Sequence, residues 1–165
     1  MRLVNGETGE PVPERRPPFP GIGPGTPPAG NVESVPLAQS GGWGSGYGGV
    51  EAGILLVPAT RPADVPQLVG WTGPCNHDLA GRDISAVLRS WEDRFGAVLY
   101  ELGRTTMTLR VARPPTTLAG ARAVMEEHYL LCFDNFCSQD GNEPLSKDEY
   151  AQRLVNAPVW DFWWD

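Results

Sequence analysis

The chain has 165 residues, a net charge of −7 and three cysteines, and these values limit its possible classes. Residues 122–165 hold nine acidic and three basic residues, and no block of Lys or Arg occurs elsewhere, so we expect no nucleic-acid binding. No apolar run approaches the ~20 residues of a membrane span, so no membrane partner is expected. The absence of a signal-peptide pattern and the odd number of cysteines favour the reducing cytoplasm.

The first part of the chain, residues 1–50, is rich in glycine and proline. It holds 12 of the 20 glycines and 9 of the 17 prolines. Such a segment has little apolar surface to offset the entropy of ordering it, so we predict a disordered arm. The alternative to a simple linker is a docking peptide, because Pro17–Pro20 favours polyproline II. Residues 51–165 are predicted to form a single domain.

The domain begins with a predicted strand and a predicted helix. Ala52–Val57 is a short apolar run closed by Pro58, which is typical of a buried strand. A helix is expected from an N-cap at Asp83 to a left-handed C-cap at Gly96. Its apolar residues fall on one helical face: Ile84, Val87, Leu88, Trp91 and Phe95.

A β-hairpin is predicted next, from Val98–Leu102 and Thr106–Val111. Residues 107, 109 and 111 are apolar and alternate with polar ones, so one face of the hairpin should be buried. A second helix is expected with Thr116 as its N-cap. Its predicted core positions are Leu118, Ala121, Met125, His128 and Cys132.

The last two predicted elements are a helix and a strand. Ser146 and Glu149 form a capping box that marks the start of the helix. The strand is Val159–Trp164, in which Trp160, Phe162 and Trp164 should share one side. The complete order predicts an α+β fold, a ferredoxin-like split β-α-β sandwich with an extra helix before the C-terminal strand. This plan would make the first and last strands neighbours.

Several motifs resemble a bacterial family, the domain of unknown function 4253. They are residues 88–97 (LRSWEDRFGA), 114–117 (PPTT), Glu127-His128-Tyr129, Cys132-Phe133-Asp134-Asn135, Tyr150-Ala151 and the closing WDFWWD. The resemblance covers roughly residues 70–165. The family pattern has a proline after the cysteine and a Gln-Gly pair after the aspartate, whereas this chain has Phe133 and a longer loop, Ser138–Leu145. The resemblance implies no activity.

A polar cluster on the second helix is the first candidate site. Its members would come together if the last strand runs beside this helix: Glu126, Glu127, His128 and Asp134, together with Asp165. A histidine flanked by carboxylates can act as a general base. The alternative is a solvated helix face with one buried edge.

A turn-forming loop is the second candidate site. Trp71, Asn76 and His77 lie in a Gly/Pro-rich stretch, where they either line a pocket or serve the core, with Trp71 closing one end. Trp160 and Trp163 of the last strand complete the candidate binding residues.

Neither a metal nor a cofactor is expected. His128, Cys132 and Cys137 follow an H-x3-C-x4-C pattern, but neither cysteine pair has the C-x2-C spacing typical of zinc sites. The chain also has no Walker loop, Rossmann glycine fingerprint or nucleophile elbow.

Two functions therefore stay open. The first is a non-catalytic protein-interaction or regulatory binding module, because Trp, Tyr and Arg dominate protein interfaces. The second is a small enzyme that uses a histidine and carboxylates on a polar substrate. Convergence of His77, His128 and Asp165 on one open pocket would favour the enzyme.

Overall fold

The structure is a computed structural model that describes residues 24–25, 55–137 and 144–164. The predicted arm therefore lies outside the described residues, except for Pro24 and Gly25. Asp165 and residues 138–143 of the 138–145 loop also lie outside them. The structural statements below concern the described residues.

Helix α2 (Gly81–Phe95) follows a short helix, α1 (Val65–Leu68), and supplies the apolar face that was predicted. It begins two residues before Asp83, because this side chain caps from inside the first turn: Oδ2 accepts a hydrogen bond from the Ala80 N–H at 2.9 Å. Gly96 ends the helix with φ of 60°, as predicted. The core-facing side chains at three- and four-residue spacing are almost fully buried: Ile84, Leu88, Trp91 and Phe95.

The sheet has three antiparallel strands, β1 (Ala97–Leu102), β2 (Thr106–Val111) and β3 (Val159–Trp163), in the order β1-β2-β3. The predicted hairpin is confirmed as β1 and β2. Across β2 and β3, Leu109 lies opposite Trp160 and Met107 opposite Phe162. These cross-strand partners share one face, which is the buried face of the sheet.

The α+β class is confirmed, but the ferredoxin-like arrangement is not. β3 pairs with β2, at the position where that plan would put the first strand. The described half of the predicted first strand, residues 55–57, has no strand structure, and Leu55 and Leu56 are 72% and 91% exposed. An apolar run alone does not determine burial. Here β3 takes the place beside β2 that the plan assigns to the first strand, and its aromatic residues cover the apolar side chains of β2.

Two helices complete the domain, α3 (Leu118–Leu131) and α4 (Lys147–Leu154), which pack against each other. Thr117 rather than Thr116 caps α3, with its Oγ1 accepting from the Gly120 N–H at 3.2 Å. The predicted capping box of α4 is present, because Ser146 and Glu149 accept hydrogen bonds from each other's backbone N–H groups. Among the described helices, none has the length and apolar content to cross a membrane.

Candidate functional site

His128 lies in the core and not in an open pocket. Its side chain has no exposed surface, and Nδ1 lies 3.1 Å from the Tyr150 hydroxyl. Burial, and to a smaller extent the positive charge of Arg94, lowers the pKa of His128 to about 3. Three aromatic rings surround the imidazole at centroid distances of 4.8 Å: Trp91, Trp160 and Phe162. The neutral imidazole is thus part of the core packing, without access to solvent.

Glu127 is also buried, at 7% exposure, and it forms the main ion pair between α2 and α3. Its carboxylate accepts from two nitrogens of the Arg94 guanidinium in a bidentate arrangement and from Trp91 Nε1 at 2.7 Å. Paired charge-assisted bonds of this kind are among the strongest in proteins. The Glu-Glu-His sequence is therefore not a solvated face, since two of its three side chains are buried.

Asn135 pairs with the outer edge of β3 as a neighbouring strand would. Its Nδ2 donates to the Asp161 carbonyl at 2.7 Å, and its Oδ1 accepts from the Trp163 N–H at 3.3 Å. The same Nδ2 donates to the Tyr150 hydroxyl at 3.0 Å. Because the hydroxyl oxygen accepts from Asn135, its hydrogen can point to His128 Nδ1. A short network thus connects the strand edge to the buried imidazole.

Cys132 also forms a hydrogen bond with the outer edge of β3. Its Sγ donates to the Trp163 carbonyl at 2.9 Å, and burial raises the pKa of the thiol to about 12. A thiol this resistant to ionisation is a poor nucleophile and a poor metal ligand. Among the described residues, no group of three or more His, Cys, Asp or Glu side chains is arranged to hold a metal ion.

His77 and Asp134 connect the two candidate sites. His77 Nε2 lies 2.8 Å from Asp134 Oδ2, and the two side chains are 22% and 14% exposed. His77 belongs to a 3-10 turn (Cys75–His77), and Asp134 belongs to a second 3-10 turn (Phe133–Phe136) that follows α3. The contact joins the loop before α2 to the end of α3, about 57 residues along the chain.

The remaining described candidates lie in the core, on the surface or on β3. Trp71 closes one end of the core, because it is 9% exposed, donates from Nε1 to the Gly103 carbonyl at 2.8 Å and meets the Trp164 ring edge to face. Asn76 is exposed. Trp160 is buried beside His128, and Trp163 is half-buried on the opposite face of β3. The predicted role of Asp165 lies outside the described residues.

An open apolar groove lies between α2 and α3, with a volume of about 390 Å³. The ion pair of Arg94 and Glu127 lines one end. From there the α2 wall continues back to Ser90, Val87 and Ala86, with Leu79 beyond the helix start, and the α3 wall continues to Leu130 and Leu131. The sequence did not point to this groove, because Val87 was assigned to the core and Arg94 to no site.

A family model described as a domain of unknown function (DUF4253) matches residues 53–165, more than half of the chain. The chain belongs to this family. No curated protein and no solved structure matches it. The residues that carried the resemblance to DUF4253 now have structural roles, because Trp91 binds Glu127, Cys132 and Asn135 hold β3, and Asp134 binds His77.

Within this DUF4253 domain, sequence reasoning missed two important side chains. Arg94 pairs with Glu127, 33 residues later, and Asn135 reaches Asp161, 26 residues later. Neither interaction has a local spacing signal, since both depend on how helices and strands meet in space. For Asn135 the available signal was its place directly after Asp134 in the family motif.

Proposed function

We propose that the chain is a protein-interaction module that binds an extended peptide in the groove between α2 and α3. The groove itself is the observation that carries the proposal. Its volume of about 390 Å³ falls in the range of ~300–1,000 Å³ that is typical of ligand sites, and its walls are mainly aliphatic. The buried histidine at 0% exposure supports binding over catalysis, because it cannot take part in proton transfer.

The shape of the groove favours a peptide. Ala86 and Arg94 are eight residues apart on α2, which corresponds to about 12 Å along the helix. About three or four extended residues span this length. Apolar side chains of such a peptide would replace water along Val87 and Leu130, which are both half-buried. The Arg94–Glu127 pair supplies the polar end that fixes orientation.

The module belongs in the cytoplasm under this proposal. Cys75, Cys132 and Cys137 are all free thiols, which suits a reducing compartment.

Peptide selection tests the proposal. A random peptide library is selected on the full chain, and the affinity of the selected peptides is measured by fluorescence anisotropy. Ala86→Trp should fill the groove from an exposed helical position and weaken binding at least tenfold, without removing any core side chain. Ala119→Trp is the matched control, because Ala119 is an exposed alanine of α3 that does not line the groove.

The proposal fails if no peptide is selected, or if Ala86→Trp and Ala119→Trp bind the selected peptides as the parent does. Thermal melts of the two variants establish that both are folded during the measurement.

A second candidate function rests on the contact between His77 and Asp134. A carboxylate that holds one ring nitrogen of a histidine fixes the ring's tautomer and orientation, as general-base catalysis requires. Both side chains are partly exposed, so a polar substrate can approach the pair. In this alternative, His77 is the base and Asp134 the residue that orients it.

A panel of ester, amide and phosphate-ester substrates distinguishes the enzyme from the binding module. General-base catalysis predicts that His77→Gln lowers kcat/KM by about 10²–10⁴-fold while leaving the melting temperature unchanged. Asn76→Gln, at the exposed neighbouring position, is the control. Turnover that survives in His77→Gln, or no turnover at all, contradicts this candidate.

A further inference from the structure

Pro24 and Gly25 are the described residues of the N-terminal arm, and Gly25 lies directly against helix α2. A Cβ atom added at Gly25 would lie 2.8 Å from Arg94 Cβ and 2.9 Å from the Arg94 carbonyl oxygen. Contacts this short essentially never occur for real Cβ atoms, and the helix backbone cannot move away without unwinding. The arm therefore approaches α2 at a point where only glycine fits.

Arg94 is also the residue at the polar end of the groove. A chain that contacts Arg94 at Gly25 is at the entrance to the apolar walls. On the N-terminal side of Gly25, the sequence offers Ile22 after three residues and Phe19 after six. On the C-terminal side, no large aliphatic or aromatic side chain occurs until Val32. The N-terminal side thus has the side chains that an apolar groove would bury.

The lengths of the segment and the groove are compatible. Three extended residues span about 10 Å, so Ile22 can reach the neighbourhood of Ala86, which lies about 12 Å along α2 from Arg94. Six extended residues span about 20 Å, so Phe19 can reach the part of the groove that Leu79 lines. Pro20 and Pro24 restrict the backbone to extended conformations, which lowers the entropy lost on binding.

We propose that residues 19–25 of this chain are an intramolecular ligand of the groove, with Gly25 against Arg94 and the side chains of Ile22 and Phe19 between α2 and α3. This proposal rests on the proposed peptide-binding function. The arm then competes with any peptide partner, because a tethered ligand has an effective concentration in the millimolar range.

A competition experiment tests this inference on full-length protein. The probe is a fluorescein-labelled synthetic peptide with the sequence of residues 17–27, measured by anisotropy. Gly25→Val should force the arm away from Arg94, and Ile22→Asp should remove its apolar anchor. Each variant is expected to bind the probe at least ten times more tightly than the parent does.

Gly42→Val and Val32→Asp are the matched controls, because they introduce the same two residues at glycine and aliphatic positions elsewhere in the arm. They should bind the probe as the parent does. Amide chemical shifts of residues 86–94 and 127–131 should change in Gly25→Val and not in Gly42→Val. These shifts report the arm's contact directly, without any added peptide.

The inference is overturned if Gly25→Val and Ile22→Asp bind the probe no more tightly than the parent, or if the groove amides do not respond to Gly25→Val. If library-selected peptides still bind in an Ala86→Trp-sensitive manner, the peptide-binding function stands and only the intramolecular ligand is excluded. If they do not, the proposed function fails as well.

Discussion

At the scale of single residues, the protonation state of His128 follows from its surroundings. The imidazole has no exposed surface, and burial together with the charge of Arg94 lowers its pKa to about 3. In the unfolded chain the same group titrates near ~6.5. Between these two values the unfolded state binds one more proton than the folded state does. The contribution of neutral His128 to stability is therefore fully present above the pKa of the unfolded chain. It is lost as the pH falls from that value towards the pKa of the folded state.

We predict that this histidine makes folding pH-dependent. Between pH 7.5 and pH 5 the free energy of unfolding should fall by about 2 kcal/mol through His128 alone, since each pH unit below ~6.5 costs about 1.4 kcal/mol. In His128→Gln, the free energy of unfolding should fall by correspondingly less between the two pH values. Urea unfolding of both proteins at pH 7.5 and pH 5 measures the two decreases.

Asn76→Gln is the control for this prediction. Its side chain is exposed and not titratable, so the substitution should leave the decrease between pH 7.5 and 5 close to that of the parent. An equal pH dependence in the parent and in His128→Gln would show that the buried histidine is not the source.

At the scale of secondary-structure elements, the outer edge of β3 is protected by a side chain instead of a strand. Asn135 satisfies the Asp161 carbonyl and the Trp163 N–H, and Cys132 bonds to the Trp163 carbonyl. An open strand edge is a site for pairing with other chains. The 3-10 turn Phe133–Phe136 covers this edge, and the family motif Cys132–Asn135 supplies the contacts.

We predict that Asn135→Ala destabilises the domain by roughly 2–4 kcal/mol, because two backbone groups and a tyrosine hydroxyl lose a partner at once. Chemical denaturation measures the loss, and hydrogen exchange at the Trp163 amide should become faster. Asn76→Ala, at an exposed position, should change stability by less than about 0.5 kcal/mol. Equal stabilities of the two variants would contradict the role of Asn135.

The elements that the sequence predicted well have local signals. Gly96 ends α2, Ser146 begins α4, and the alternation of Met107, Leu109 and Val111 identifies β2, since each signal lies within a few residues of its element. The pairing of β3 with β2 has no such signal. It depends on contacts such as Thr108 to Asp161, which are 53 residues apart.

The candidate site was predicted less well for the same reason. Asp134 and His77 were both named, but they were placed in different sites because nothing local connects a loop before α2 to a turn after α3. Glu127 was named beside His128 as a candidate site residue, but its ion pair with Arg94, which also lines the groove, was not predicted. The groove requires two helices to be placed side by side, which no single segment encodes.

At the scale of the whole molecule, the aromatic residues near residue 160 hold the sheet and the helices together. Trp160, Phe162 and Trp164 are 1–2% exposed and share one side, as predicted. Trp91 stacks on Phe162 from α2, and Trp164 donates from Nε1 to the Leu131 carbonyl of α3 at 3.2 Å. One strand therefore contacts both large helices.

We predict that Trp164→Ala lowers the free energy of unfolding by about 3–5 kcal/mol, since a large buried ring and its hydrogen bond are lost. Tyr100→Ala, at 46% exposure, should cost less than about 1 kcal/mol.

Deleting residues 160–165 should abolish cooperative unfolding, because the whole domain has only ~5–15 kcal/mol of stability. Asp165→Ala is expected to melt like the parent. A deletion variant that melts normally would contradict this account of the core.

The arm should be dispensable for folding even if it occupies the groove. A chain lacking residues 1–50 keeps every described core contact, so its melting temperature should stay within a few degrees of the parent value. Limited proteolysis of the full chain should leave a stable fragment that begins near Val50. Loss of the cooperative melt in the shortened chain would show that the arm is part of the core.

The position of β3 in the sequence also has a consequence for synthesis of the protein. The ribosome makes β2 about 53 residues before the β3 partner of Thr108, which corresponds to roughly 3–10 s at ~5–20 residues per second. During this interval one edge of β2 lacks its partner strand, and Met107 and Leu109 lack their cross-strand neighbours Phe162 and Trp160. Because an unpaired strand edge can pair with other chains, we expect the growing chain to be prone to aggregation until β3 has been made.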